Sequence, residues 1–248
     1  MTGARKLRNM RGRVSAALLC LVAGLSATPA LAGRTEALLA VSWQPAFCEG
    51  QADKPECRSQ SEDRFDARRF SLHGLWPMGD NYCEVDKRLR DMDAAGDWLG
   101  LPALDLETGT RAALETVMPG TQSGLQRHEW IKHGTCSGMT AEAYYARSLA
   151  LMEDLNASAV ADLFAENLGT YLSADAITAA FDTAFGPDAA RRVKMKCRRD
   201  GDRTLITELT IGLGSGYGQD RSLADLIQSA GGTSFGCTGG IVDPAGLD

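Results

Sequence analysis

All three histidines of this chain lie in two short segments whose residue types suit acid–base chemistry. The first segment, Phe70–Pro77, reads FSLHGLWP and contains His73. The second segment, His128–Gly138, reads HEWIKHGTCSG and contains His128 and His133. Histidine has the side-chain pKa nearest neutrality, so it can both accept and donate a proton. With lysine and glutamate beside them, these histidines suit the cleavage of a phosphodiester without a metal ion.

Helical spacing brings the polar residues of the second segment together. We predict a helix over Gln126–His133, closed by the glycine that follows it. On this helix Glu129 and His133 are four residues apart and share a face, and so do His128 and Lys132. One helical turn can therefore offer two imidazoles, an ammonium and a carboxylate to one small volume. The strand that carries the histidine of the first segment could face them across a cleft.

RNA cleavage by its own 2′-hydroxyl requires these groups. A base removes the hydroxyl proton, an acid protonates the leaving 5′-oxygen, and cations or hydrogen-bond donors stabilise the phosphoryl charge. The residues alone leave open which of His73 and His133 is the acid. His128 could touch substrate or orient a neighbour, and Trp76 could stack on a base or pack within the protein.

Three alternatives compete with this interpretation. A zinc site is disfavoured because His128 and His133 are five residues apart, which rotates a helix by about 500° and leaves the two rings about 140° apart. The histidines could instead be structural, although their confinement to two segments argues against this. The chain could also be a binding module that has lost turnover. We therefore predict an enzyme with neither a metal ion nor a cofactor.

The N-terminus has the pattern of a secretory signal peptide over residues 1–32. Five basic residues precede the uncharged apolar run Val14–Ala27, which is too short to span a membrane, and Ala30–Ala32 forms an A-x-A cleavage signal. Cleavage would leave residues 33–248 as one catalytic domain, with 21 basic against 32 acidic residues and a formal charge of −11. Such a chain has no broad basic face for nucleic acid, so any attraction to RNA must be local to the site.

The predicted elements indicate an α+β fold stabilised by disulfides. Six cysteines remain after signal cleavage, and in an exported protein they predict three disulfides, with 15 pairings open. Strands are predicted at Ala37–Trp43, Phe70–Leu75, Val193–Arg198 and Thr204–Gly212. Helices are predicted at Val85–Trp98, Thr110–Met118, Gln126–His133, Ala141–Leu155, Ser158–Leu168 and Ala174–Phe185, and a long loop at Gln51–Arg69. Helices in the middle with strands at both ends favour α+β over a doubly wound sheet.

At the two histidine segments the chain resembles the ribonuclease T2 family. FSLHGLWP matches the first active-site segment of the family and HEWIKHGTC matches the second; Trp43–Pro45, followed by Cys48, also resembles its first strand and the loop after it. The resemblance implies a central antiparallel β-sheet with flanking helices. It also implies endonucleolytic cleavage of single-stranded RNA through a 2′,3′-cyclic phosphate, without a metal ion.

The resemblance also implies a role for each matching residue. His133 would be the general base and His73 the general acid, Lys132 and Glu129 would support the pentacovalent phosphorus, and His128 would help to hold the phosphate. In the second step the acid and the base exchange roles while water opens the cyclic ester. The implied disulfides are Cys48–Cys57, Cys83–Cys136 and Cys197–Cys237.

One departure from the family affects specificity. Several fungal and plant members carry an acidic residue directly after HGLWP, where this chain has Met78. We therefore predict low base specificity. Because Glu129 should favour the imidazolium form of His133, we also predict a mildly acidic pH optimum. RNA is the expected partner, with no action on DNA, which lacks the 2′-hydroxyl. We further expect a monomer in the periplasm or the medium, without membrane association after signal cleavage.

Overall fold

The computed structural model describes residues 1–4 and 33–247. The predicted signal peptide therefore lies outside the described residues, apart from its first four positions. From residue 33 onward, the described residues belong to one compact unit. Within the described part of the chain, no helix is both long enough and apolar enough to cross a membrane.

A predominantly antiparallel sheet forms the centre of the fold. The strands within the described residues are β1 (Ala37–Ser42), β2 (Ser71–Pro77), β3 (Tyr171–Ser173), β4 (Val193–Asp200), β5 (Arg203–Leu213) and β6 (Gly239–Ile241). β1 lies between β2 and β5 and is antiparallel to both, β4 pairs with β5, and β3 pairs with β6. The exception to the antiparallel pattern is a parallel pair of Leu205 with Ile241, which joins β5 to β6. The predicted architecture is confirmed.

Most of the helices lie in the middle of the chain, as the sequence predicts. They are α1 (Gln44–Cys48), α2 (Pro55–Arg58), α3 (Lys87–Ala94), α4 (Thr108–Val117), α5 (Leu125–Lys132), α6 (Ala141–Asn156), α7 (Ala159–Glu166), α8 (Ala174–Phe185) and α9 (Leu223–Gln228). Side-chain oxygens of Thr140 and Ser173 cap α6 and α8 by accepting backbone N–H groups. α2 interrupts the predicted long loop, and the short elements α9, β3 and β6 were not predicted.

Aromatic packing at the end of β1 helps to fix the sheet against the helices. The side chains of Trp43, Phe70 and Phe164 are buried and contact one another, with ring centroids 4.7–5.4 Å apart. The indole N–H of Trp43 donates a hydrogen bond to the backbone carbonyl of Asp243. This contact joins the first strand to the C-terminal segment, so the two ends of the described domain are held together through the core.

The described residues form the disulfides Cys48–Cys57, Cys83–Cys136 and Cys197–Cys237, which are the pairs that the family resemblance implies. Cys83–Cys136 joins the segment after β2 to the short 3₁₀ turn that follows α5. It therefore ties together the two histidine segments of the sequence.

Candidate active site

β2 and α5 bring the two histidine segments face to face. In the pairing of β1 with β2, Ala40 is opposite Gly74 and Val41 is opposite Leu72, so His73 is the extra residue of a β-bulge. A bulge re-aims a strand side chain and is common beside active sites. The backbone of β2 is held two residues later, where the hydroxyl of Tyr144 on α6 donates to the carbonyl oxygen of Leu75 and accepts from its N–H.

Glu129 lies at the centre of the site. Its side chain is 1% exposed, and its Oε2 accepts a 2.7 Å hydrogen bond from the indole N–H of Trp76. Its Oε1 lies 3.7 Å from Nε2 of His73 and 3.7 Å from Nε2 of His128. Burial raises the pKa of Glu129 to about 7, although the positive charges around it and the bond from Trp76 oppose this rise. The carboxyl group can therefore exist in its protonated form near neutral pH.

Gly74 is required by the close approach of Glu129 to β2. A Cβ atom at this position would overlap the Glu129 carboxylate and would stand 2.6 Å from Nε1 of Trp76. No side chain larger than hydrogen fits without displacing the hydrogen bond between these two residues. The glycine of the HGLWP segment therefore has a steric explanation: it lets a buried carboxyl pack directly on the strand.

His73 has a carboxylate at each of its ring nitrogens. Its side chain is 31% exposed, and its Nδ1 is 2.8 Å from Oε2 of Glu208 on β5. Burial of the ring lowers the pKa of His73, but the hydrogen bond with Glu208 and the charge of Glu129 outweigh burial and raise it above its usual value. The ring is therefore stabilised in its protonated form, which suits a proton donor.

His133 is in the opposite electrostatic situation. Its ring is 5.4 Å from that of Trp76, and its buried Nδ1 has no hydrogen-bond partner among the described residues. Burial and the positive charge of Lys132, with smaller effects from His128 and His73, lower the pKa of His133 to about 4. The ring is therefore neutral across most of the accessible pH range, which suits a proton acceptor.

The predicted effect of Glu129 on His133 is wrong. α5 ends at Lys132, and His133 follows it with a φ of −115°, before a 3₁₀ turn over Gly134–Cys136. Burial and the charge of Lys132 are the main influences on the pKa of His133 and lower it, and Glu129 is not among the groups that shift it. The carboxylate faces His73 and His128 instead.

His128 is held by groups that the sequence did not indicate. Its Nδ1 is 2.6 Å from Oδ1 of the buried Asp93 on α3, and its ring stacks on Trp98 with centroids 4.4 Å apart. The other oxygen of Asp93 accepts a 2.7 Å hydrogen bond from the hydroxyl of Tyr82. Burial lowers the pKa of His128, while Asp93 opposes that effect. The remaining nitrogen, Nε2, points toward Glu129.

Trp76 has a structural role in the site. Besides its hydrogen bond to Glu129, its ring lies 5.2 Å from His73 and 5.4 Å from His133. It therefore contacts both histidine rings and holds the buried carboxyl of Glu129 beside His73. Stacking of a base on this ring stays a prediction.

Sequence reasoning missed Glu208 and Asp93, the carboxylates at Nδ1 of His73 and His128. Glu208 is far along the chain from His73. Asp93 belongs to the acidic run Asp91-Met92-Asp93, which by sequence is typical of a solvated surface, but Asp93 is buried. The available signal for Glu208 was its place within the predicted strand Thr204–Gly212, where a charged side chain interrupts an apolar run. Which histidine it meets depends on strand order, which spacing does not reveal.

A pocket adjoins His73 and is also lined by Leu125, the first residue of α5. Its walls are largely apolar, and the polar groups of Gln44 and Glu56 also line it. The Glu56 side chain is buried; its Oε1 accepts a hydrogen bond from Ser123, and its Oε2 has no partner among the described residues. The pocket therefore offers a largely apolar space next to His73. Among the described residues, no group of three or more His, Cys, Asp or Glu side chains is arranged to hold a metal ion.

Two histidines with oppositely displaced pKa values, a lysine and a buried carboxyl in one cleft can perform general acid–base catalysis. A model of the Ribonuclease T2 family matches residues 35–227. Ribonuclease I of Escherichia coli (strain K12) is 32% identical over 199 residues, which cover 71% of this chain and 74% of that protein. The chain belongs to the Ribonuclease T2 family and is a T2-type endoribonuclease.

Solved structures show the same fold at lower identity. Human RNase T2 matches with a TM-score of 0.51 and 18% identity, covering 85% of this chain and 98% of that chain. A mutant of RNase MC1 in complex with 5′-UMP matches with a TM-score of 0.51 and 20% identity, covering 73% of this chain and 89% of that chain. The expected fold family is confirmed.

Proposed function

We propose that the enzyme cleaves single-stranded RNA by transphosphorylation through a 2′,3′-cyclic phosphate, without a metal ion. The observation that carries this proposal is that two histidines, whose rings both contact Trp76, have pKa values displaced in opposite directions. His133 is neutral because burial and Lys132 lower its pKa, and His73 is protonated because Glu208 and Glu129 raise its pKa. One cleft thus holds a ready base and a ready acid, which is the combination that the reaction requires.

In the first step His133 removes the proton of the 2′-hydroxyl. The 2′-oxygen attacks phosphorus, the bond from phosphorus to the 5′-oxygen breaks, and His73 donates its proton to that leaving oxygen. In the second step the roles exchange: His73 accepts a proton from water, the water opens the cyclic ester, and His133 returns its proton to the 2′-oxygen. The product is a 3′-phosphate.

Charge that gathers on the phosphoryl oxygens needs cations or donors nearby. We assign this role to Lys132 and to Glu129, whose pKa of about 7 leaves a protonated carboxyl available to donate a hydrogen bond. His128 helps to hold the phosphate, because Asp93 fixes its ring with Nε2 on the side of Glu129. These roles complete the set that the family resemblance implies.

The substrate follows from the chemistry of the nucleophile. A 2′-hydroxyl is present in RNA and absent from DNA, so DNA is not cleaved. We assign the largely apolar pocket beside His73 to a nucleobase of the substrate, and the related RNase MC1 mutant was solved with 5′-UMP. Residues 33–248 act as one catalytic domain and as a monomer, and the pattern of residues 1–32 supports export to the periplasm or the medium.

The decisive experiment is cleavage of single-stranded RNA by the oxidised protein in EDTA, with identification of the product ends. We expect full activity and 2′,3′-cyclic phosphate ends that are later converted to 3′-phosphates. Activity that disappears in EDTA and returns with zinc would contradict the proposal and favour a metal hydrolase. Absence of cleavage by correctly folded protein would favour a binding module.

The pKa values predict a bell-shaped pH profile with a mildly acidic optimum. The rate rises as pH increases through the pKa of His133, about 4, because the base must be neutral. It falls as pH increases through the pKa of His73, which lies above the usual 6.5, because the acid must be protonated. Measurement of kcat/KM at constant ionic strength tests this. A rate that still climbs above pH 9 would contradict it.

We also expect low base specificity. Met78, at the position where some family members have an acidic residue, is 50% exposed. Hydrolysis rates of the sixteen dinucleoside phosphates should therefore differ less than about a hundredfold, since one good base contact gives roughly 1–3 kcal/mol of discrimination. A larger bias would contradict this expectation. In that case Glu56→Gln would show whether the buried carboxyl of the pocket reads the base.

A further inference from the structure

A carboxylate on β5, the second strand from β2 in the sheet, reaches His73 across the intervening strand β1. On β1, Ser42 pairs with Ser71 of β2 on one side and with Glu208 of β5 on the other. Ser42, His73 and Glu208 line the same surface cavity. Because serine is small, the imidazole and the carboxylate can meet above it, at 2.8 Å. The bulge that projects His73 from β2 and the small residue on β1 together permit this contact.

The contact determines which way the His73 ring faces. With Nδ1 bonded to Glu208, Nε2 points to the opposite side of the ring, toward α5. Glu129 Oε1 is 3.7 Å from Nε2, which is longer than a hydrogen bond. The Nε2 proton is therefore left available on the side of the ring where the phosphate would lie.

We propose that Glu208 is a positioning residue for proton donation by His73. It fixes the ring with Nε2 toward the leaving oxygen and stabilises the imidazolium form, as a carboxylate at the second nitrogen of a catalytic histidine generally does. This inference rests on the proposed role of His73 as general acid. Glu208 itself touches no reacting atom.

The surroundings of His73 include charges of both signs. Glu208 comes from β5 and Lys196 from β4, with 3.7 Å between the Lys196 Nζ and Glu208 Oε1. Further charged or titratable groups come from α5 and the residue after it. They are His128, Glu129, Lys132 and His133. Burial also lowers the pKa of His73, so Glu208 and Glu129 must together overcome both burial and the positive charge of Lys196. Glu208 is only 14% exposed, and burial would raise its pKa, but its bond with His73 and the positive charges of His73 and Lys196 together lower it.

The first test is an NMR titration of the histidine rings. The chain has three histidines, so each imidazole signal can be assigned from single variants. In Glu208→Gln, which keeps the shape and removes the charge, the pKa of His73 should fall below its usual 6.5. Lys196→Gln, the control of opposite charge, should raise it. A pKa of His73 that is unchanged in Glu208→Gln would overturn the proposal, and this readout does not depend on activity.

The second test is kinetic. Glu208→Gln should lower kcat by about tenfold or more with little change in KM, since general acid catalysis contributes about 10²–10⁴-fold. It should also move the basic limb of the pH profile to lower pH, and Glu208→Asp should restore part of both effects. On a substrate whose leaving group needs no protonation, the loss should disappear. A loss that persists there would overturn the role in proton donation.

The two tests separate this inference from the proposed function. If His73→Ala is not rescued by such a leaving group, the assignment of His73 as general acid fails, whatever Glu208 does. If His73→Ala is rescued and Glu208→Gln leaves both the basic limb and the His73 titration unchanged, only the role of Glu208 fails. If Glu208→Gln folds poorly, the same titration and kinetic measurements are made on Glu208→Asp.

Discussion

His133→Ala and His73→Ala should each lower kcat for RNA cleavage by about a thousandfold, but only His73→Ala should recover on a substrate with an activated leaving group. General acid and general base catalysis each contribute about 10²–10⁴-fold. An aryl 3′-phosphodiester of a nucleoside releases a phenolate that needs no proton. Without its acid, the enzyme should cleave such an ester at nearly the wild-type rate. Without its base, the 2′-hydroxyl should stay unactivated on either substrate.

The rings support this asymmetry before any kinetics are measured. His133 has a pKa lowered to about 4 and a buried Nδ1 without a partner among the described residues, so its neutral form dominates. His73 has a carboxylate at Nδ1 and a raised pKa, so its charged form is favoured. Oppositely displaced values in one cleft assign opposite proton-transfer roles.

His128→Ala is the matched control, because it removes the third histidine of the same site. Asp93 and Trp98 fix its ring, and its proposed contact is with phosphate. We expect a smaller loss, about tenfold, of similar size on both substrates, because a phosphate contact is independent of leaving-group chemistry. Recovery of His133→Ala, rather than His73→Ala, on the activated ester would reverse the acid and base assignment.

The sequence predicted the parts of the site that are local. His73, Trp76 and the residues of α5 lie within two short segments, and strand and helix periodicity places them correctly. Sequence could not predict the bulge at His73, because the shift in pairing between β1 and β2 depends on how the two strands are aligned in the folded sheet. It also could not predict how deeply the ring of His133 is buried beside Lys132, and burial and that charge reverse the expected electrostatics of the ring.

The missed contacts are those that depend on long-range topology. Glu208 is 135 residues from His73 and reaches it because β5 pairs with β1. Asp93 is 35 residues from His128 and reaches it through the packing of α3 beside α5. Similarly, the predicted strand ends at Leu75, whereas β2 continues to Pro77, and the buried Glu129 explains why position 74 within it is glycine. Residue types thus indicated the chemistry, and the fold determined how it is tuned.

Removing the Cys83–Cys136 disulfide should have the largest effect on stability. The bridge closes a loop with a sequence separation of 53 residues, which includes α3, α4 and α5. In the chain-entropy model, a loop of this length stabilises the fold by about 4 kcal/mol. That is a large part of the roughly 5–15 kcal/mol that a domain has in total. The local bridge Cys48–Cys57 spans 9 residues and should contribute only about 2.5 kcal/mol by the same relation.

Urea unfolding of the paired serine variants, Cys83→Ser with Cys136→Ser and Cys48→Ser with Cys57→Ser, measures this difference. The long bridge should also matter for catalysis, because the Tyr82 N–H donates to the carbonyl of Lys132 directly beside it. Its loss should therefore lower kcat even where the variant is folded, since it loosens the end of α5 that carries Lys132 and His133. Equal losses of stability in the two variants would contradict the loop-length argument. An unchanged kcat in the folded Cys83/Cys136 variant would show that α5 alone positions the base.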